Sequence, residues 1–274
     1  MLNIGKLAAG SHEYYLASVA AGTEDYYLAR GEPRGYWLAR GGTELGLDGM
    51  VTREALRAVL DGHHPSTGAP LLAQTQRTVP GFDLTFLAPK SVSVLYGLGD
   101  RRVAREVQTA HDAAVEAALG YLERHAAWSR RGAGGAEQVR SNGFVAAAFR
   151  HRTSRAGDPL VHTHVLVANL ARAVDDGRWR TLDGRHLYTH ARTAGFLYQA
   201  QLRAELTRRL GVEWEPVANG CADIAGVPRR VVAAFSTRRR EIEAHMAERG
   251  ETSAKAAQVA TLATRRAKDH RVDV

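Results

Sequence analysis

DPLVHTHVLVANLA, residues 158–171, is the stretch on which the fold turns. It is rich in Val and Leu and opens on Asp-Pro, the signature of a strand that follows a turn. Period-2 geometry sets Leu160, His162, His164 and Leu166 on one face and Val161, Thr163, Val165 and Val167 on the other. Just upstream, VRSNGFVAAAFRH (139–151) reads as a second strand, joined to the first by a short polar connection. The two form an antiparallel pair. His151 closes the first strand, so the pairing brings it alongside His162 and His164.

Two imidazoles aimed into an otherwise apolar face need partners for their nitrogens. One solution is structural, with each ring satisfied by a single hydrogen bond. The other is a divalent metal ion held by His151, His162 and His164, with open positions for substrate oxygens. The remaining histidines of the twelve (His12, His63, His64, His111, His125, His186, His190, His245 and His270) lack such placement and read as surface or capping residues.

Outward from this pair, FDLTFL (82–87) alternates as a strand that Pro89 ends, with Asp83 on the same side as Thr85 and Leu87. Residues 101–126 form the clearest helix. Val103, Val107, Ala110, Ala114, Ala118 and Leu122 make its apolar stripe. A short helix spans 51–60 with Thr52 as N-cap, a short strand lies near Trp179, and helices are predicted at about 191–210, 229–248 and 252–268. No repeat or composition break marks a linker. The order of elements indicates one α+β domain over 1–274, with a central antiparallel sheet flanked by helices and a helical C-terminal subregion from about 190 to 274.

Composition is that of a globular chain, with 45% hydrophobic and 24% charged residues. The formal net charge is +8, and all but four cations (Lys6, Lys90, Lys255 and Lys268) are arginine. An arginine excess suits a polyanion partner, and equally a GC-rich genome. The single cysteine excludes a disulfide framework and a Cys-ligated zinc site. Without a long apolar run or a signal-peptide core, the expectation is a soluble intracellular protein with no membrane insertion.

GFDLTFLAPKSVSVLYGLGD (81–100), HRTSRAGDPLVHTHVLVAN (151–169) and the doublets Tyr14-Tyr15 and Tyr26-Tyr27 resemble the relaxase domain of MobF/TrwC-type conjugative relaxases, within the HUH endonucleases. The resemblance runs from about residue 2 to the C-terminus. It implies a palm-like antiparallel sheet with helical fingers at the C-terminus. It also implies site-specific nicking and joining of single-stranded DNA at an origin of transfer, beside a hairpin, through a 5′-phosphotyrosyl intermediate. The family usually continues into a helicase. No G-x-x-x-x-G-K-[ST] motif occurs here, so the chain is expected to be a truncated form or an unusually short member without that domain.

By the resemblance, Tyr14 is the nucleophile, Tyr26 serves a second transfer, and Asp83 accepts the tyrosine proton or orients a metal-binding histidine. His151, His162 and His164 would hold one divalent metal ion, Mg or Mn in cells, with Zn, Ni or Co possible after purification. Arg77 and Lys90 flank the Asp83 strand, while Arg150, Arg152 and Arg155 surround His151; these are the DNA-backbone candidates. Arg238-Arg239-Arg240 and Arg265-Arg266 either track a backbone or are solvated faces. Implied partners are origin-of-transfer DNA, relaxosome accessory proteins and a type IV secretion coupling protein. The protein is expected to be monomeric, to act in the bacterial cytoplasm, and to pass to the recipient cell attached to DNA. Competing readings are a rolling-circle initiator or transposase of the same class, a non-catalytic hairpin-binding module, and a small-phosphoester hydrolase. The long 81–100 motif, the presence of the expected side chains and the net charge disfavour these in turn.

Overall fold

A computed structural model of the chain describes residues 1–7, 35–73, 78–154, 156–250 and 253. Its α-helices and strands in chain order are β1 (Leu2–Lys6), β2 (Tyr36–Leu38), α1 (Arg53–Asp61), β3 (Gly81–Leu87), α2 (Lys90–Leu98), α3 (Arg101–Ala126), β4 (Trp128–Arg131), β5 (Glu137–Arg140), β6 (Ala146–Thr153), β7 (Pro159–Ala168), β8 (Ala171–Arg172), β9 (Trp179–Arg180), α4 (Gly184–Leu210), α5 (Arg229–Ala234) and α6 (Thr237–Glu248). The main sheet runs β1-β3-β7-β6-β2, and each adjacent pair is antiparallel. The expected antiparallel α+β architecture is therefore present, with β7 at its centre.

The two faces of β7 differ as its alternation requires. Val161, Thr163, Val165 and Val167 are buried on the side covered by α3 and α4. The α3 stripe of Val107, Ala110, Ala114, Ala118 and Leu122 packs there with Leu84 and Phe86 of β3 and Leu202 and Leu206 of α4. On the other face a second cluster, built from α1 residues Leu56, Val59 and Leu60 together with Ala147, Phe149, Leu166 and Ala168, covers the sheet only at one end. Leu160, His162 and His164 lie beyond it and stay half-buried. Among the described residues the half of that face beyond this cluster is open, and the histidines stand there.

Local chemistry explains most boundaries. Thr52 caps α1 by accepting from the Ala55 amide at 3.2 Å, and Gly62 closes it in the left-handed region. Gly81 lets β3 approach β7: a Cβ there would stand 2.6 Å from the Val167 carbonyl oxygen. The stretch 139–151, read from sequence as one strand, is two. Its start belongs to β5, which pairs with β4, and Gly143 at φ 123° breaks the chain before β6 begins. Pro89 ends β3 as expected and also opens α2, which sequence patterning missed because its buried face carries serines. Ser91 donates to Asp223 at 2.6 Å, and Ser93 accepts from the Val161 amide at 3.0 Å. Helix α4 starts earlier than expected, at an N-cap supplied by Asp183, and the stretch 229–248 is two helices rather than one. The helix expected over 252–268 lies outside the described residues except for Ser253.

The core makes a direct prediction. Leu84→Ala, at a fully buried position, should cost about 2–5 kcal/mol of unfolding free energy, whereas Leu98→Ala, at an exposed one, should change it by less than about 0.5 kcal/mol. Urea titrations of the two variants against the parent would check the contrast.

Candidate metal centre

Strand register assembles the site. His151 of β6 stands directly opposite His162 of β7, and His164 stands opposite Thr85 of β3. Cross-strand partners share a face, so the three imidazoles and Thr85 gather on the open half of the sheet. Ring centres are 5.1 Å apart for His151 and His162, and 5.2 Å for each of these rings against His164.

The second nitrogens of two rings are fixed. His162 Nδ1 lies 2.8 Å from the Leu160 carbonyl oxygen, which only accepts, so Nδ1 carries the proton. Burial lowers His162 to about 4, which keeps the ring neutral and leaves Nε2 with a lone pair. His164 Nδ1 lies 2.9 Å from both carboxylate oxygens of Asp83, and the Thr85 hydroxyl donates to Asp83 at 3.3 Å. That is the carboxylate–histidine arrangement by which a protein orients a metal-binding imidazole.

Among the described residues, no three His, Cys, Asp or Glu groups are already drawn in to hold an ion. What bears on a metal is therefore the spacing of the rings and the tautomers. A ring nitrogen ligates a first-row divalent ion at ~2.1 Å, which puts ring centres sharing one ion about 5 Å from one another. The observed spacing of 5.1–5.2 Å matches that figure, and Nδ1 is the nitrogen that the protein holds in His162 and His164. His151, His162 and His164 are the residues that would hold the ion, with Asp83 behind His164.

The basic residues distribute differently from expectation. Arg150 does not face this site. It stands opposite Thr163, on the helix side, where it pairs with Asp112 of α3 at 2.9 Å and lies 4.4 Å over the Tyr36 ring. Its reading as a DNA contact overlooked that residues adjacent in a strand point to opposite faces. Lys90 is half-buried and donates to the Pro159 carbonyl at 2.7 Å, bracing the start of β7; burial lowers its ammonium below the usual range, opposed by Asp158. Arg152 lies at the irregularity between His151 and Thr153 and is half-buried. Arg77, Arg155, Tyr14 and Tyr26 lie outside the described residues.

Sequence reasoning also missed His111. It is fully buried, not a surface residue, and both its ring nitrogens are bonded. The signal was available: position 111 falls on the α3 stripe, four residues after Val107 and three before Ala114.

Residues 8–274 match the family model described as TrwC relaxase. The multifunctional conjugation protein TraI of Escherichia coli K12 is 36% identical over 248 residues, a match that covers 85% of this chain but 13% of TraI. The chain thus spans about an eighth of the length of the curated relatives it matches. Among solved structures, the copper-bound conjugative relaxase TrwC in complex with oriT DNA superposes with a TM-score of 0.85 at 32% identity, covering 100% of this chain and 93% of that one. TrwC complexed with a 27-mer DNA comprising the recognition hairpin and the cleavage site gives 0.82 at 31% identity over the same shares.

Two expectations follow from the geometry. Arg150→Ala should lower unfolding free energy by about 1–3 kcal/mol, because it strands the half-buried Asp112 carboxylate, and should leave the salt dependence of single-stranded DNA binding unchanged. Calorimetry and a salt titration of binding would read the two effects separately. His162 and His111 are both depressed from the ordinary 6.5, to about 4 and about 3. The unfolded chain therefore binds protons that the folded metal-free protein refuses. The contribution of these two rings should be constant above about pH 6.5 and fall on acidification toward pH 4, by up to about 1.4 kcal/mol per pH unit for each ring. A melting temperature constant from pH 7 to 4.5 would contradict the neutral burial of these two histidines.

Proposed function

The chain belongs to the TrwC relaxase family, and from that premise we propose that it nicks and rejoins one DNA strand at an origin of transfer through a covalent 5′-phosphotyrosyl intermediate. The observation that carries the reading is the cluster of three imidazoles 5.1–5.2 Å apart, two of them held through Nδ1, on one face of the sheet. The likeness to TrwC bound to hairpin-bearing oriT DNA supports the substrate class.

In this reading Tyr14 Oη attacks the scissile phosphorus, the phosphotyrosyl bond forms, and the 3′-oxygen leaves and takes up a proton. A divalent ion held by His151, His162 and His164 would neutralise the phosphate and lower the barrier to in-line attack. Asp83 orients His164, with both oxygens turned to its Nδ1. Because the phosphotyrosyl ester conserves the energy of the broken phosphodiester, the freed 3′-hydroxyl can reverse the nick without ATP. Tyr26 is the candidate for a second transfer. A phosphate that must be released favours a hard ion, so Mg or Mn is the proposed metal in cells, with Zn, Ni or Co held after purification. The reading carries with it relaxosome accessory proteins and a type IV secretion coupling protein as partners, and action in the bacterial cytoplasm by a single domain over 1–274. Among the described residues no helix is long and apolar enough to cross a membrane.

The test mixes the protein with a pool of hairpin-bearing single-stranded oligonucleotides and Mn²⁺ and looks for an SDS-resistant protein–DNA adduct. The expected adduct disappears with EDTA and in Tyr14→Phe, and persists in Tyr26→Phe. Loss in Tyr26→Phe with survival in Tyr14→Phe would reverse the order of the tyrosines. Tight hairpin binding with no adduct under any metal would turn the reading to a non-catalytic DNA-binding module.

A further inference from the structure

The inner face of β7 reads Val161, Thr163, Val165, Val167. A single hydroxyl interrupts the valines, and it sits between the two histidines that project to the opposite face. Thr163 is fully buried and its Oγ1 lies 2.8 Å from His111 Nε2. The other nitrogen, Nδ1, lies 2.8 Å from the Tyr198 hydroxyl of α4. All three side chains have no solvent exposure and stand among the residues of the largest apolar cluster.

We infer that His111 is a positioning residue for the histidine cluster, acting through Thr163 to fix the part of β7 that carries His162 and His164. The inference rests on the reading of that cluster as a metal centre. A neutral imidazole has one donor and one acceptor, and a hydroxyl can take either role, so both ring nitrogens are bonded, one donating and one accepting. With both nitrogens engaged, the ring cannot rotate without leaving a buried polar group unpaired, a loss of about 1–3 kcal/mol. Burial lowers His111 to about 3, with His162 and Arg150 adding to the shift, so it stays neutral across the physiological range. The hydroxyl of a β-branched residue held in this way pins the side-chain torsion and the local twist of the strand. Thr163 points inward and its two neighbours outward, so its anchor sets the direction in which both imidazoles leave the sheet.

Packing alone would not call for these groups. Position 111 lies on an alanine and valine stripe, and position 163 on a valine face, so a continuous apolar contact was open to both. An imidazole bonded at both nitrogens in such a core specifies one arrangement instead of several.

The experiment titrates Co²⁺ into chelator-stripped protein and reads affinity by calorimetry and ligand geometry by visible absorption. His111→Phe and Thr163→Val should weaken Co²⁺ binding about ten-fold or more and shift the absorption bands. His111→Gln, which can return a polar atom toward Thr163, and Thr163→Ser should restore both readouts toward the parent. Where His111→Phe fails to fold, Thr163→Val, close to isosteric, carries the test. Parent-like affinity and bands in His111→Phe and Thr163→Val, with only a lower melting temperature, would overturn the inference and leave the metal centre standing. A parent protein that takes up no Co²⁺, or takes it up equally as His162→Ala, would overturn the metal centre itself.

Discussion

Strand β7 is hydrogen-bonded on both edges, to β3 and to β6, and every side chain gathered at the site hangs on those two ladders. The register places His162 against His151 and His164 against Thr85. Because the side-chain period of a strand is two, a slip of one residue on either ladder would turn His162 and His164 into the helix-packed core and bring Thr163 and Val165 to the open face. The apolar contacts of Val161, Val165 and Val167 with α3 and α4 forbid that slip. The hydrophobic pattern and the chemistry are therefore one specification, not two.

Hydrogen bonding then fixes which nitrogen each ring presents. The backbone carbonyl of Leu160 and the Asp83 carboxylate take the Nδ1 protons of His162 and His164 and turn the Nε2 atoms outward. Acceptors of different kinds do the same work because a neutral imidazole responds only to where its single proton is bonded. Asp83 reaches His164 from two residues along the neighbouring strand, since His164 pairs with Thr85 and Asp83 lies two positions further on the same face. Thr85 bonds to that carboxylate and holds it in turn.

How much of this could be read from sequence depended on whether the signal was periodic. The long helix over 101–126 was legible to the residue, because a stripe repeated over about five turns leaves little freedom. The facing of 160–166 was legible for the same reason with period two. Strands β1 and β2 were not, being sheet-edge segments of five and three residues with no buried side chain. Helix α2 hid behind buried serines whose partners, Asp223 and the Val161 amide, are remote in sequence. The clustering of His151, His162 and His164 was legible from strand alternation together with an antiparallel pairing of the two strands. Arg150 was misplaced by treating closeness in sequence as closeness in space, and His111 by treating a polar residue as a surface one even where it falls on an apolar stripe.

The turn between β6 and β7 ties the histidines to the rest of the chain. Asp158, buried just before β7, accepts from the Thr237 amide at 2.8 Å and from its hydroxyl at 3.1 Å, which anchors the first turn of α6. One residue later the Pro159 carbonyl accepts from Lys90 at the first turn of α2. Consecutive residues thus fasten the N-termini of two helices to the root of the histidine strand, one through a carboxylate placed where helix N-terminal amides favour negative charge. The helical C-terminal part is not merely packed nearby: its α6 helix is bonded to the same hairpin that presents His151, His162 and His164. A displacement of α6 at its start must either break those two bonds or be transmitted to β7, and the three contacts His111–Thr163, Asp158–Thr237 and Lys90–Pro159 hold that strand from behind and from its root while leaving its other face to the imidazoles.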